Sequence, residues 1–342
     1  MDRTDAVVTG ATGLLGAHVV RCLVEKGARV RCLVRPTSRT AHIEGPHVEL
    51  VAADLRQPEA LAPVLKGVRW VFHFAGHLTA SAPLNAHEDD SVYSLNVEGT
   101  RALLEAAAIA GVERFVYASS VGVYDADAVS PIGEDTRPAP VSAYGRSKVA
   151  AEAAVMEYHR RGLSGTVVRP AICYGVGDRH FLPAARRMVR LPVLPLVDGG
   201  RHLLDVASAL DVAALAVAAA SSPRAAGRVY NAASGYPVSL RDITAILHDV
   251  EGTPRPLIVP VTEGLMRFSA PVAQRIAALL VPGMESTMSA VGAAYSAHDV
   301  FYDMSRAGVE LGFTPRYDFR AGLERAREEE ESAVRGAVPT AP

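Results

Sequence analysis

Residues 6–16 read Ala6-Val7-Val8-Thr9-Gly10-Ala11-Thr12-Gly13-Leu14-Leu15-Gly16. The apolar run Ala6 to Val8 has the character of a short strand buried on both faces. Gly10 permits a tight turn, Gly13 lets backbone N–H groups approach a pyrophosphate, and Gly16 lets the following helix lie close to the strand. That helix, expected over 14–26, is apolar at Leu15, Val19, Val20, Leu23 and Val24, and its positive end faces the turn. A second strand over 28–34 completes the unit. The glycines therefore sit in the strand–turn–helix context that a dinucleotide site requires.

Working outward, further strands are expected over 48–52, 70–75, 114–119 and 165–169, and helices over 58–66, 94–110 and 143–161. This alternation predicts an α/β fold: a Rossmann-type doubly wound parallel sheet with a smaller C-terminal substrate-binding domain. Residues 1–175 form the dinucleotide-binding domain. A helix over 211–220 and a strand over 228–231 bring about 205–232 back to its sheet. The substrate-binding domain takes 176–204 and 233–330, beginning where Pro183, Pro192, Pro195 and the turn Asp198-Gly199-Gly200 change the character of the chain. The apolar stretch 257–281 is read as ordinary core packing, against the alternative of a lid or membrane-surface patch. From Arg327 the chain is read as a fraying helix end, with 331–342 a disordered tail.

The 342 residues carry 35 basic and 37 acidic side chains, a net charge of -2 with no basic stripe, so nucleic acid is not an expected partner. Cys22, Cys32 and Cys173 are odd in number and lack CxxC spacing, which suggests neither a disulfide framework nor a zinc site and fits a cytoplasmic setting. No apolar run reaches the ~20 residues of a membrane-spanning helix, and the charged N-terminus leads straight into the first strand, so a soluble chain without a signal peptide is expected.

Tyr144 and Lys148 lie four apart, on one face of an Ala-rich helix that follows Pro140-Val141-Ser142. A phenol with a reference pKa of about 10 is a poor acid or base at neutral pH, and a nearby cation lowers it by roughly 1 to 3. Lys148 is placed to supply that charge. A third partner is expected at the end of the strand over 114–119, because ligands of such sheets bind outside the carboxyl ends of the strands. Ser119 and Ser120 stand there.

The chain resembles an extended short-chain dehydrogenase/reductase of the NAD-dependent epimerase/dehydratase superfamily. The resemblance spans nearly the whole length: TGATGLLG at 9–16, Asp54-Leu55, Phe74-Ala75-Gly76, Asn96, ASSVGVY at 118–124, YGRSK at 144–148 and RPAICYG at 169–175. It implies that Ser120 (with Ser119 as fallback) orients the substrate oxygen and that Tyr144 passes a proton to or from it. Lys148 then holds the nicotinamide ribose, and Asn96 supports a relay water unless it is simply a helix cap. Cofactor contacts would come from Gly10, Thr12, Gly13, Leu14, Leu15, Gly16, Asp54, Leu55, Phe74, Ala75, Gly76, Tyr144, Lys148 and Pro170.

At the end of the second strand, where an NAD enzyme often offers a carboxylate, this chain has Val34-Arg35 with Ser38 and Arg39 nearby. Arg35 suits a 2′-phosphate, so NADP(H) is favoured and NAD(H) is the alternative, Arg35 then being only a solvated strand end.

Departures from the family pattern narrow the reaction. Relatives that dehydrate sugar nucleotides carry an Asp-Glu pair where this chain has Val121-Gly122, and epimerases carry an asparagine where it has Ile172. The stretch 169–178, with LGFTP at 311–315, looks more like the 3β-hydroxysteroid dehydrogenase and dihydroflavonol reductase branch, although Tyr124-Asp125 replaces the usual Tyr-Gly. The expected function is interconversion of a hydrophobic secondary alcohol and ketone. The alternatives are a sugar-nucleotide 4-epimerase or 4-ketoreductase and a non-catalytic nucleotide sensor.

His73, His77 and His87 with Glu88, Asp89 and Asp90 prompt the thought of a metal, but the resemblance needs none and none is expected. His18 is expected to pack on the first helix. Relatives pair the helices beginning near Ser94 and Ala143 into a four-helix bundle, and the small residues 106–108 and 150–154 are compatible with such a homodimer.

Overall fold

The computed structural model describes residues 4–77, 90–125, 127–266 and 298–337. Seven parallel strands form the central sheet: β1 (Ala6–Thr9), β2 (Val30–Val34), β3 (Val48–Ala52), β4 (Trp70–His73), β5 (Arg114–Ala118), β6 (Gly165–Pro170) and the late β11 (Val229–Ala232). Their spatial order is β11-β6-β5-β4-β1-β2-β3. The chain runs outward from β1 to β3, then crosses to β4 on the other flank of β1. That crossover opens a crevice at the carboxyl ends of β1 and β4, the switch point at which such sheets bind ligands.

Strand alternation splits the core into two layers. On one side Ala6 and Val8 pack with α1 (Leu14–Glu25) and α7 (Ala209–Ser221). On the other, Val7 and Phe115 pack with α2 (Leu61–Leu65), α4 (Gly99–Ile109) and α5 (Ala143–Arg160). The helix expected from Ser94 starts earlier, as α3 (Asp90–Tyr93), and passes through a π-helical stretch, Ser94–Glu98, before α4. Nothing in hydrophobic periodicity distinguishes such a stretch from ordinary helix. Ser142 caps α5 by accepting from the Gly145 N–H at 3.0 Å.

Beyond β6 the chain adds β7 (Ile172–Tyr174), α6 (Phe181–Met188), β8 (Val193–Val197), β9 (Leu203–Leu204), β10 (Val206–Ser208), β12 (Val238–Ser239), α8 (Leu240–Glu251), β13 (Leu257–Val261), α9 (Ser305–Leu311) and α10 (Phe319–Ala337). A third cluster, including Tyr174, Leu182, Ile243, Leu247 and Phe319, packs this part together. Asp198, Gly199 and Gly200 all have positive φ, 47°, 69° and 70°, making the turn that their sequence announces.

Two expectations are corrected here. The start of the 257–281 stretch is not core: among the described residues β13 pairs only with β8, and Leu257 and Val259 stand exposed, because a two-stranded ribbon covers just one of its faces. Residues 267–281 lie outside the described residues. The helical backbone of α10 also continues through 331–337, within the segment expected to be a loose tail, and Arg21 reaches across from α1 to Glu329 at 2.6 Å.

A buried polar chain ties β1 to β4 and α4. The Ala75 N–H donates to Thr9 Oγ1 at 3.2 Å, and Thr9 Oγ1 lies 2.6 Å from His73 Nδ1. His73 Nε2 is 2.9 Å from Thr100 Oγ1, which donates to the Asn96 carbonyl at 2.7 Å. One proton arrangement satisfies every member: the Thr9 hydroxyl donates to Nδ1 and His73 carries its proton on Nε2. Burial, helped by the charge of Lys148, holds His73 down at about 3, so it stays neutral.

These contacts make two predictions. A Cβ on Gly16 would lie 2.1 Å from the Gly10 carbonyl oxygen. Gly16→Ala should therefore cost about 2–3 kcal/mol in urea unfolding, and a loss below about 0.5 kcal/mol would deny the close approach. For His73, the unfolded state takes up a proton near its ordinary value of about 6.5 while the folded state resists until about 3. Its contribution is thus whole above pH ~6.5 and lost as pH falls through that window. Stability of the wild type should fall more steeply there than that of His73→Gln; equal slopes would show that His73 titrates normally.

Candidate active site

The sequence-predicted residues converge on the carboxyl edge of the sheet: Gly10 after β1, Arg35 after β2, Asp54 after β3, Phe74 to Gly76 after β4, Ser119 and Ser120 after β5, and Pro170 at the end of β6. Gly10 has φ +68°, and a Cβ there would lie 2.5 Å from the Phe74–Ala75 peptide, so only glycine fits this turn. Gly13 is exposed and sits at the N-cap of α1, where no side chain caps the first-turn N–H groups. Thr12, Leu14 and Leu15 are half-buried around it. A backbone cradle with free donors at a helix N-terminus is what a pyrophosphate requires, so these residues fit a dinucleotide. His18 closes the far side of this helix. It is buried, bonds the Leu14 carbonyl at 2.8 Å and stands about 3.5 Å from where a Gly175 side chain would be; burial lowers its pKa.

At the ends of β2 and β3, Arg35 is exposed and its backbone N–H donates to Ser38 Oγ at 3.2 Å. Asp54 takes four bonds from Arg56, including one of 2.6 Å from Nη2, and these hold its carboxyl down at about 2, with Arg35 adding to the pull. Leu55 instead turns inward and packs against Gly99.

Ser119 and Ser120, adjacent in sequence, part company in space. Ser119 Oγ donates to Glu152 Oε1 at 2.5 Å and is buried. Ser120 Oγ accepts from the Gly122 N–H at 3.1 Å, which leaves its proton for the hydrogen bond it shares with Tyr144. Lys148, one helical turn beyond Tyr144, donates from Nζ to the Ala118 carbonyl at 2.8 Å. Burial lowers Lys148 to about 8, with Glu152 acting the other way. A side chain on Gly76 would come within 3.3 Å of Nζ.

Two sequence expectations meet a different arrangement. Burial pushes the Tyr144 hydroxyl up to about 12 against the hydrogen bond from Ser120, and Lys148 is not among the groups that lower it. Desolvation acts on the oxygen itself, whereas the ammonium, 5.6 Å from the ring centre, is directed at the Ala118 carbonyl. Asn96 is not a helix cap. It lies inside the π-helical stretch, where its Oδ1 accepts from the His77 N–H at 2.7 Å and its Nδ2 donates to the His77 carbonyl and to Ser147 Oγ. Asn96 thus braces the Gly76–His77 backbone beside Lys148. His77 is exposed, and His87, Glu88 and Asp89 lie outside the described residues.

Sequence reasoning missed the support behind the serines. Arg169 donates to both oxygens of Glu152, 2.9 Å from Nε and 2.6 Å from Nη2, and from Nη1 to the Tyr124 hydroxyl at 2.8 Å. Tyr124 donates on to Asn231 Oδ1 at 2.8 Å, and Asn231 reaches the carbonyls of Ile132 and Asp303. Glu152 was legible as a residue four beyond Lys148; its partner on β6 was not. Of the two positions where a second acid would stand, Val121 is packed in the core and Gly122 has no side chain. Ile172 is 38% exposed, and Cys173 is close enough to Tyr144 to influence its ionisation.

Comparison with known proteins agrees with this fold. The NAD dependent epimerase/dehydratase family matches residues 6–233. Among curated relatives, a putative dihydroflavonol 4-reductase of Synechocystis sp. is 31% identical over 334 residues, covering 93% of this chain and 92% of that one. The 4-hydroxy-2-methyl-3-oxo-4-farnesyl-3,4-dihydroquinoline-1-oxide ketoreductase of Stigmatella aurantiaca is 27% identical over 97% of this chain and 98% of its own. Among solved structures, MoeE5 in complex with UDP-glucuronic acid and NAD superposes with a TM-score of 0.75 at 26% identity, covering 96% of this chain and 99% of that one. The chain belongs to the NAD dependent epimerase/dehydratase family, as an oxidoreductase- or epimerase-type enzyme with a nicotinamide cofactor.

Proposed function

We propose that this protein interconverts a hydrophobic secondary alcohol and ketone, using Ser120, Tyr144 and Lys148. The observation that carries the reading is the meeting of these three side chains from β5 and α5 beside Gly76, at the switch point of the sheet. A nicotinamide bound there supplies or accepts the hydride. Ser120, whose Oγ is oriented by the Gly122 N–H, turns its hydroxyl proton from Tyr144 to the substrate oxygen when substrate binds. Tyr144, held protonated by burial, is in the form that gives its proton to an alkoxide oxygen as a ketone is reduced. Lys148 holds the ribose, and Asn96 keeps the backbone around Gly76 in place for it.

Ile172 supports an apolar substrate, since an exposed isoleucine offers no hydrogen bond to a diphosphate. The farnesyl-bearing substrate named for the Stigmatella relative supports the same class. A sugar-nucleotide 4-epimerase or 4-ketoreductase is the second reading, favoured by the likeness to MoeE5 and opposed by Ile172. For the cofactor, NADP(H) is the reading that fits Arg35: among the described residues its guanidinium has no ion pair, and it stands at the strand end where a 2′-phosphate would lie.

Tyr144→Phe should reduce turnover of hydrophobic ketones about 10³-fold while NADPH binding persists. Undiminished turnover would remove Tyr144 from the chemistry, and conversion of UDP or TDP sugars alone would transfer the assignment to the second reading. Arg35→Ala should weaken NADPH binding about tenfold, a loss of roughly 1.4 kcal/mol, and leave NADH untouched. Equal effects on both nucleotides would mean that Arg35 does not read the 2′-phosphate.

A further inference from the structure

Lys148 needs its ammonium both charged and in one place, yet it is 4% exposed, and burial alone favours the neutral amine. Among the described residues, the groups facing it are few. The Ala118 carbonyl accepts one of its protons, and His73 on β4 is neutral. On α5, Tyr144 presents a protonated phenol, and the carboxylate of Glu152 is shared with Arg169 and Ser119, which draws its charge away from the ammonium. Among the described residues, the remaining neighbour is Tyr117 on β5. Lys148 Nζ lies over its ring, 4.8 Å from the centre, within the ~6 Å at which the negative face of an aromatic ring attracts a cation.

Tyr117 is placed for this by strand alternation. Residues 115 and 117 point toward α4 and α5, and the next peptide supplies the Ala118 carbonyl to the same ammonium. The ring is fully buried and packs on His73 with centroids 5.5 Å apart. Its hydroxyl, also buried, has no hydrogen-bond partner among the described residues. A lone buried hydroxyl works against stability, so it is the ring and not the oxygen that explains an aromatic residue here.

We propose that Tyr117 is a positioning residue for Lys148, its ring face holding the ammonium charged and aimed between the Ala118 carbonyl and Tyr144. The inference rests on the catalytic role proposed for Lys148, but its test does not require turnover. The chain has only three lysines, Lys26, Lys66 and Lys148. With ¹³C at the lysine ε carbon, NMR of the full chain shows three resonances, and that of Lys148 is identified by its loss in Lys148→Met.

The Lys148 titration midpoint should fall by about one pH unit in Tyr117→Leu and stay in place in Tyr117→Phe. Should Tyr117→Leu fail to fold, phenylalanines carrying increasing numbers of fluorines at 117 weaken the ring face at nearly constant size, and the midpoint should step down with each. A midpoint unmoved across that series, or lowered as much by Tyr117→Phe as by Tyr117→Leu, overturns the proposal. In a folded Tyr117→Leu enzyme, the alkaline limb of the kcat profile should move down with the midpoint. A shifted midpoint in a protein that turns over no carbonyl substrate would sink the proposed function and leave the Tyr117 assignment standing. An unmoved midpoint in an active enzyme would do the reverse.

Discussion

The turn after β1 can close only because residue 10 has no side chain. A Cβ there would strike the peptide between Phe74 and Ala75, and a Cβ at residue 16 would strike the Gly10 carbonyl. Removing both side chains brings three backbones together: the turn, the start of α1 and the exit from β4. The crevice at the switch point, the uncapped N-terminus of α1 and the approach of Gly76 to Lys148 all depend on that contact. The Thr9–His73–Thr100 chain then holds the three in register from beneath, with every hydrogen-bonding atom used.

A second buried network holds the opposite wall. Glu152, Arg169, Tyr124 and Asn231 form a continuous path from the back of Ser119 to residues 132 and 303. Burying a carboxylate and a guanidinium is costly, and the cost is met here by two parallel bonds and by hydroxyl and carbonyl partners at the remaining positions. The network explains why two neighbouring serines differ in role: Ser119 is consumed by Glu152, and Ser120 is left to face the site. It also makes residues near 303, far along the chain, part of the frame around the end of β5.

The site thereby acquires its electrostatic character from enclosure. Burial keeps Tyr144 protonated and lowers Lys148 to about 8, while a carbonyl and an aromatic face hold the ammonium in place. Charge and position are maintained by short-range contacts among buried groups, where such contacts are stronger than in water.

Much of this was legible in the linear chain. The strand–glycine–helix unit at 6–16, the strand and helix alternation, the i,i+4 relation of Tyr144 and Lys148 and the positions of the serines at a strand end are local properties. Backbone sterics and helical or strand period determine them without reference to distant residues. Other features were decided only by tertiary structure: which serine is consumed, the bracing of His77 by Asn96, the π-helical stretch, the exposed face of β13, and the balance of charges on Tyr144 and Lys148. Each depends on what a side chain meets from another element, as Glu152 meets Arg169 or Lys148 meets Tyr117. Hydrogen-bond partners and desolvation are set by packing between segments remote in sequence, so no local pattern announces them.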